Sequence, residues 1–439
     1  MMSSGMISAP YIILGMNRNT ILGTVGVSLL LLLMGIVSQQ EASSIDPVKY
    51  TASASNFRGD EISSTTQMSK LARASNRLGF ELLAQLQTQQ PETNLVLSPN
   101  SIAIALAMLR RGADGDTLAE MDAVLGLTHL DATTIDTSYQ KLLNTLKTAE
   151  PNVQLAIANS LWVNQKINLK EPFINTAKEF YQAEVSNLDF ADSQVENTIN
   201  QWVAKNTSDR ITQIVDDVNP EAALYLINAI YFKGVWTTKF DPSQTSEQPF
   251  YLSSGKSKTV PMMNQSGEYR YYENQQLQAI RLPYGKQEEI GMYIVLPQET
   301  TSLKELQSQL TPEQWQEWLS QMRSHEGNIT LPRFQLESET DLRSPLAALG
   351  LNQIFNPQAA NFSAMTDTSV AVDGVKHKTL VEVNEEGTEA AGVTSIGIRI
   401  TSVETENVPF NMRVERPFFV VIRDDITESI LFMGNVFEP

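Results

Sequence analysis

Cysteine is absent from all 439 residues. Its absence excludes disulfides, thiolate zinc centres, cysteine nucleophiles and a lipid anchor on cysteine, but leaves the compartment open, because a large core needs no staples. Histidine is scarce: His129, His325 and His377 are the only three, and none stands in an HExxH or HxH spacing. A zincin helix or histidine metal pair is therefore not encoded. No Gly-x-Ser-x-Gly elbow occurs. Gly255-Lys256-Ser257 has the tail of a phosphate loop, but Phe250 stands where its first glycine belongs. Positive charge is also short, with 32 Lys and Arg against 50 Asp and Glu, a net −18. That balance argues against nucleic acid and other polyanions. Carboxylate pairs at this density describe a solvated surface rather than a catalytic dyad. No metal, cofactor or catalytic constellation is expected, and no repeat with a period of 20–50 residues is found.

What is present suffices for one large domain or two ordinary ones: 42% hydrophobic and 19% charged residues. Residues 21–37 form an apolar run centred on Leu29-Leu30-Leu31-Leu32-Leu33-Met34, with Arg18 before it. A positive flank and a hydrophobic run read as a signal peptide or an uncleaved membrane anchor over 1–37, with Met16 an alternative start. The run sits at the short limit for a spanning helix, and no clear cleavage site follows. Either way Arg18 stays inside and the rest is exported, secreted or anchored. Residues 38–66, rich in Ser, Thr, Gln and Ala, read as a flexible linker. From Met68 a period near 3.6 begins, with Leu71, Ala72, Leu78, Leu82, Leu83 and Leu86. Further helices are expected at 102–109, 117–127, 137–146, 171–181, 195–211 and 303–319. Strands are expected at 155–163, 223–232, 290–296 and 328–331. Helices dominate the first third and strands the last, which favours α+β over a doubly wound fold.

The most informative stretch is Glu385-Glu386-Gly387-Thr388-Glu389-Ala390-Ala391-Gly392-Val393-Thr394-Ser395. Its flanks are apolar strands, yet it lacks the Asn, Pro and Asp chemistry of turns. Laid out as a strand, Thr388, Ala390, Gly392, Thr394, Ile396 and Ile398 share one face, small or apolar. Glu389 and Arg399 fall on the other. Composition alone allows a small-residue surface loop equally well.

Glu-Glu-Gly-Thr-Glu-Ala-Ala, with His377-Lys378-Thr379 before it and Arg416-Pro417-Phe418 after it, resembles the hinge of the serpin reactive-centre loop. Asn94-Leu95-Val96-Leu97-Ser98-Pro99-Asn100-Ser101-Ile102, Ala158-Asn159-Ser160-Leu161-Trp162-Val163 and Asn228-Ala229-Ile230-Tyr231-Phe232-Lys233-Gly234-Val235-Trp236 resemble further segments of that family. Val260-Pro261-Met262-Met263 and Leu431-Phe432-Met433-Gly434-Asn435-Val436 do too. The resemblance covers roughly 70–439.

It implies a serpin domain over 67–439, with three β-sheets, eight or nine helices and an exposed reactive-centre loop over about 385–411. The implied activity is suicide inhibition of serine proteases, not catalysis. A protease would cut the loop, which would insert as a new strand of the large sheet and carry the acyl-enzyme with it. The hinge falls on Glu385, Glu386, Gly387, Thr388, Glu389, Ala390, Ala391 and Gly392. Thr388 is expected to be exposed before cleavage and to enter the sheet first. Shutter positions carry over onto Ser98, Ser101, Asn228 and His377, and the breach tryptophan onto Trp236. Counting from Glu385 puts the reactive bond at Thr401-Ser402, suited to an elastase-like or subtilisin-like protease. Arg399-Ile400 is the runner-up for a trypsin-like one. Counting back from Pro417 gives a point near Glu406, so the return segment 403–415 is longer than usual. The expected partner is a serine protease or, as second choice, a cysteine protease. Heparin and nucleic acid are not expected, and the protein should be a monomer. The alternative is a non-inhibitory serpin acting as a binding or chaperone module. Such members tend to carry bulky, charged or proline residues at the inward hinge positions, and none is found here.

Overall fold

A computed structural model describes residues 54–150, 152–388 and 408–439, with side chains from residue 67 onward. Among these residues there are nine α-helices and fifteen strands. The helices gather early: α1 (Ala54–Gln89), α2 (Pro99–Arg110), α3 (Gly115–Leu125) and α4 (Ala132–Thr148) precede all but one strand. α1 takes in residues 54–66, the end of the stretch read as linker. α2 starts where Ser98, as N-cap, accepts the Ser101 amide proton, with Pro99 at the first position. All twelve of its residues are buried, so it runs through the core. The helices α5 (Glu171–Tyr181) and α6 (Val195–Asn206) follow. The expected helix 303–319 is two: Leu303–Ser308, then Pro312–Gln321 capped by Thr311. Proline removes a donor and clashes with the preceding turn, so the helix is interrupted there although the apolar period runs on.

The strands are β1 (Leu95–Leu97), β2 (Val153–Asn164), β3 (Glu184–Leu188), β4 (Leu224–Val235), β5 (Ser246–Tyr251), β6 (Ser257–Glu273), β7 (Leu277–Tyr284) and β8 (Ile290–Pro297). Then come β9 (Arg323–Pro332), β10 (Phe334–Asp341), β11 (Val372–Val383), β12 (Gly387–Thr388), β13 (Phe410–Arg413), β14 (Phe418–Asp424) and β15 (Ile430–Val436). One sheet orders β10-β11-β4-β2-β3, with β12 on β4. The other orders β1-β15-β14-β8-β7-β6-β9-β13, with β5 on β6. The long β6 makes that second sheet continuous. Its first part pairs with β5 and β9 and its last residues with β7, so the third set of strands is joined rather than separate.

β4 is apolar on both faces, which is why it reads as a continuous hydrophobic run. Leu224, Leu226, Ile230 and Phe232 face the main core. Tyr225, Ile227 and Ala229 face a second core roofed by Val195, Ile199 and Val203 of α6. β4 and β11 are parallel neighbours, paired from Leu224 opposite Val372 to Tyr231 opposite Leu380. Beyond Tyr231, β4 runs on to Val235 and pairs there with β12 instead, Val235 with Gly387 and Gly234 with Thr388. The point where two central strands part is thus held by the hinge.

Candidate hinge and sheet-opening site

The hinge begins as a tight turn between β11 and β12. The Asn384 amide donates to the Gly387 carbonyl at 2.9 Å and the Gly387 amide to the Asn384 carbonyl at 3.2 Å. Gly387 has φ 143°, and a Cβ there would lie 2.0 Å from the Gly234 carbonyl oxygen, so only glycine fits. Trp236 anchors the turn from β4's end. Its indole N–H donates to the Asn384 carbonyl at 2.9 Å and its backbone N–H to Glu386 at 3.0 Å.

The two hinge glutamates are tied down. Glu385 is 5% exposed and takes both Arg333 Nε (2.8 Å to each oxygen) and Arg333 Nη2, with Thr245 Oγ1–H donating as well. Burial pushes its pKa up, but the bonds from Arg333 and Thr245 outweigh that and hold the carboxyl below the usual range. Glu386 pairs with Lys239 at 2.6 Å.

Thr388 is not exposed, contrary to the expectation from sequence. Its exposure is 0%, and its hydroxyl lies 2.7 Å from the Tyr284 hydroxyl. The cause is the pairing with β4, which seats it inside the sheet from the outset. Glu389, Ala390, Ala391 and Gly392 lie outside the described residues, as do both proposed bonds, Thr401-Ser402 and Arg399-Ile400. The chain resumes at Val408, and β13 pairs with β9 from Phe410.

Further down β4, Ser98, Ser101, Asn228 and His377 meet in one buried cluster. His377 stands opposite Asn228 across the β4–β11 pair. Its Nε2 accepts the Ser98 amide proton at 3.0 Å, so the ring proton sits on Nδ1 and donates to Asn228 Oδ1 at 2.6 Å. Asn228 Nδ2 donates to Ser101 Oγ and to Asn159 Oδ1. Complete burial drives the His377 pKa down to about 3, so the ring is neutral. Six residues separate Asn228 from Gly234, roughly 20 Å along the strand. Trp236 therefore belongs with the hinge and not with this cluster.

Members that escaped the sequence reading include Asn159, Arg333 and Tyr284, besides Thr245 and Lys239. Asn159 faces Asn228 across the β2–β4 pair, and the signal was there: a lone amide inside an apolar strand. Arg333 and Tyr284 reach the hinge from β-strand ends far away in the chain, and no local pattern marks them. Among the described residues no cluster of metal-ligating side chains occurs, and no helix is long and apolar enough to cross a membrane. The 21–37 run lies outside them.

The cluster's polar groups thus line the join of β4 and β11, and β12 pairs with β4 above it. Comparison with known proteins places the chain in a family. The family model described as serpin (serine protease inhibitor) matches residues 73–439. Iripin-2 of Ixodes ricinus is 34% identical over 374 residues, covering 84% of this chain and 93% of that protein. Antithrombin-III of Mus musculus is 34% identical, covering 84% and 82%. The crystal structure of human thyroxine-binding globulin complexed with thyroxine superposes with a TM-score of 0.79 at 26% identity, covering 85% of this chain and 99% of that one.

Proposed function

The chain belongs to the serpin family, whose members are mostly protease inhibitors and not enzymes, and from that premise we propose that it is a suicide-substrate inhibitor of serine proteases. The observation that carries this reading is the pairing of Gly387 and Thr388 with Val235 and Gly234. Continued residue by residue, that register would set Ala390 against Phe232, Gly392 against Ile230, Thr394 against Asn228 and Ile398 against Leu224. Partners in an antiparallel pair share a face. The small residues of the loop would therefore enter the main core, and Thr394 would bring a hydroxyl to Asn228 as His377 moves away. Residues 387–398 would fill β4's twelve positions. A cut at Thr401-Ser402 would leave residues 399–401 beyond the sheet to reach the acyl-enzyme. A cut at Arg399-Ile400 would leave Arg399 alone and press the protease closer. Deacylation must lag insertion, since a protease whose oxyanion hole and triad are distorted cannot release the loop.

Mixing with a panel of serine proteases is the test. An SDS-stable complex with an elastase-like or subtilisin-like member, and a released peptide beginning at Ser402, is expected. Cleavage by every protease without a complex would sink the reading, and a peptide beginning near Asn407 would move the bond. On Arg18 and the 21–37 run we place the protein outside the cytoplasm; full-length soluble protein in the cytoplasmic fraction of its host would refute this.

A further inference from the structure

Tyr284 ends β7 and has 0% exposure. Its ring stacks on Trp236, centroids 4.4 Å apart and planes 12° from parallel, and meets Phe232 edge to face at 5.1 Å. Its backbone bridges Trp236. Gly234 makes the room: a Cβ there would lie 2.8 Å from the tyrosine ring. The ring is thus fixed on three sides, and its hydroxyl points at the Thr388 hydroxyl, 2.7 Å away. Both hydroxyls are buried, so each would lose its partner with no water to replace it. The supporting Trp236 also carries two bonds to the hinge turn, at Asn384 and Glu386.

We propose that Tyr284 is a positioning residue for loop insertion: its hydroxyl seats Thr388 on the first rung of β4 before any protease arrives. The cut loop then extends a strand already begun, and the unfavourable ordering of the first residues is done in advance. This role rests on the inhibitor reading above.

Hydrogen exchange across residues 384–388 of the intact protein tests it, in wild type, Tyr284→Phe, Thr388→Val, Thr388→Ser and the Tyr284→Phe/Thr388→Val pair. Phenylalanine keeps the stack and removes only the hydroxyl. Each single loss should speed exchange roughly 5-fold, the effect of one buried neutral hydrogen bond. The double variant should be no faster than either, and Thr388→Ser should stay near wild type. Inhibitor consumed per complex formed should rise in Tyr284→Phe by about the same factor. Unchanged exchange, additive single effects, or faster exchange with unchanged stoichiometry would each overturn the role. A wild type that forms no complex with any protease defeats the inhibitor reading itself, whereas normal complex formation with unaltered exchange defeats only Tyr284.

Discussion

His377 is a neutral imidazole in a dry site, and that has a pH consequence. Its pKa is about 3 in the folded chain against an ordinary 6.5. Between those values the unfolded chain binds the proton and the folded chain does not, so folding is opposed as pH falls. The contribution to stability is full above 6.5 and is lost as pH drops from there toward 3, at up to about 1.4 kcal/mol per pH unit. Denaturant unfolding at pH 7, 6, 5 and 4 should show that slope in wild type. His377→Gln, which cannot take the proton, should show a flatter profile. Identical profiles would mean that the histidine does not set the acid sensitivity. The motif singled out His377 and Asn228, but Asn159, the partner of Asn228, needed the register of β2 on β4, which pairs residues 69 apart in sequence.

β12 is only Gly387 and Thr388, yet it decides how the hinge responds to substitution. The sequence reading has Thr388 exposed before cleavage, and an arginine at such a position would be harmless until insertion. Within the sheet the arginine would lie against Tyr284 and β4 with no water to reach. A buried cation without a partner is expelled, so the two-residue strand should leave the sheet. The fold should survive, since β12 is only two residues paired with the end of β4. The inhibitor should become a substrate: protease cuts the loop, stays active and forms no complex, with stoichiometry at least about tenfold worse. Undiminished inhibition would refute insertion led by Thr388. Strands apolar on both faces, such as β4, and capped helices, such as α2, were legible because local spacing and caps determine them. The burial of Thr388 was not, because Tyr284 and Gly234 come from distant strands. The paired helices at 303–321 misled for another reason: an apolar period carries through the turn that Pro312 imposes.

For the whole molecule, the parting of β4 and β11 above Tyr231 and Leu380 means the six-stranded sheet is complete below and open above. In the inhibitor reading, a cut loop would add up to ten residues along β4 beyond the two already paired, bonded on both sides where the closed sheet has one β4–β11 ladder. Roughly ten extra backbone bonds at about 1 kcal/mol each would be gained. The small and apolar residues at 390, 392, 396 and 398 would also be buried in the main core in that form. Against this stands the separation of His377 from Asn228, a single bond at 2.6 Å that Thr394 is positioned to replace in the proposed register. In that reading the balance would favour the inserted form, and the uncut chain would be held by a barrier and not by its free energy. Cleavage anywhere in 394–401, by any protease, should raise the melting temperature by on the order of 10–20 °C, since each kcal/mol is worth a few degrees in a domain of this size. Equal melting temperatures before and after cutting would mean that the sheet does not accept the loop. The hinge at Gly387–Thr388 would then be a resting place and not the start of a strand.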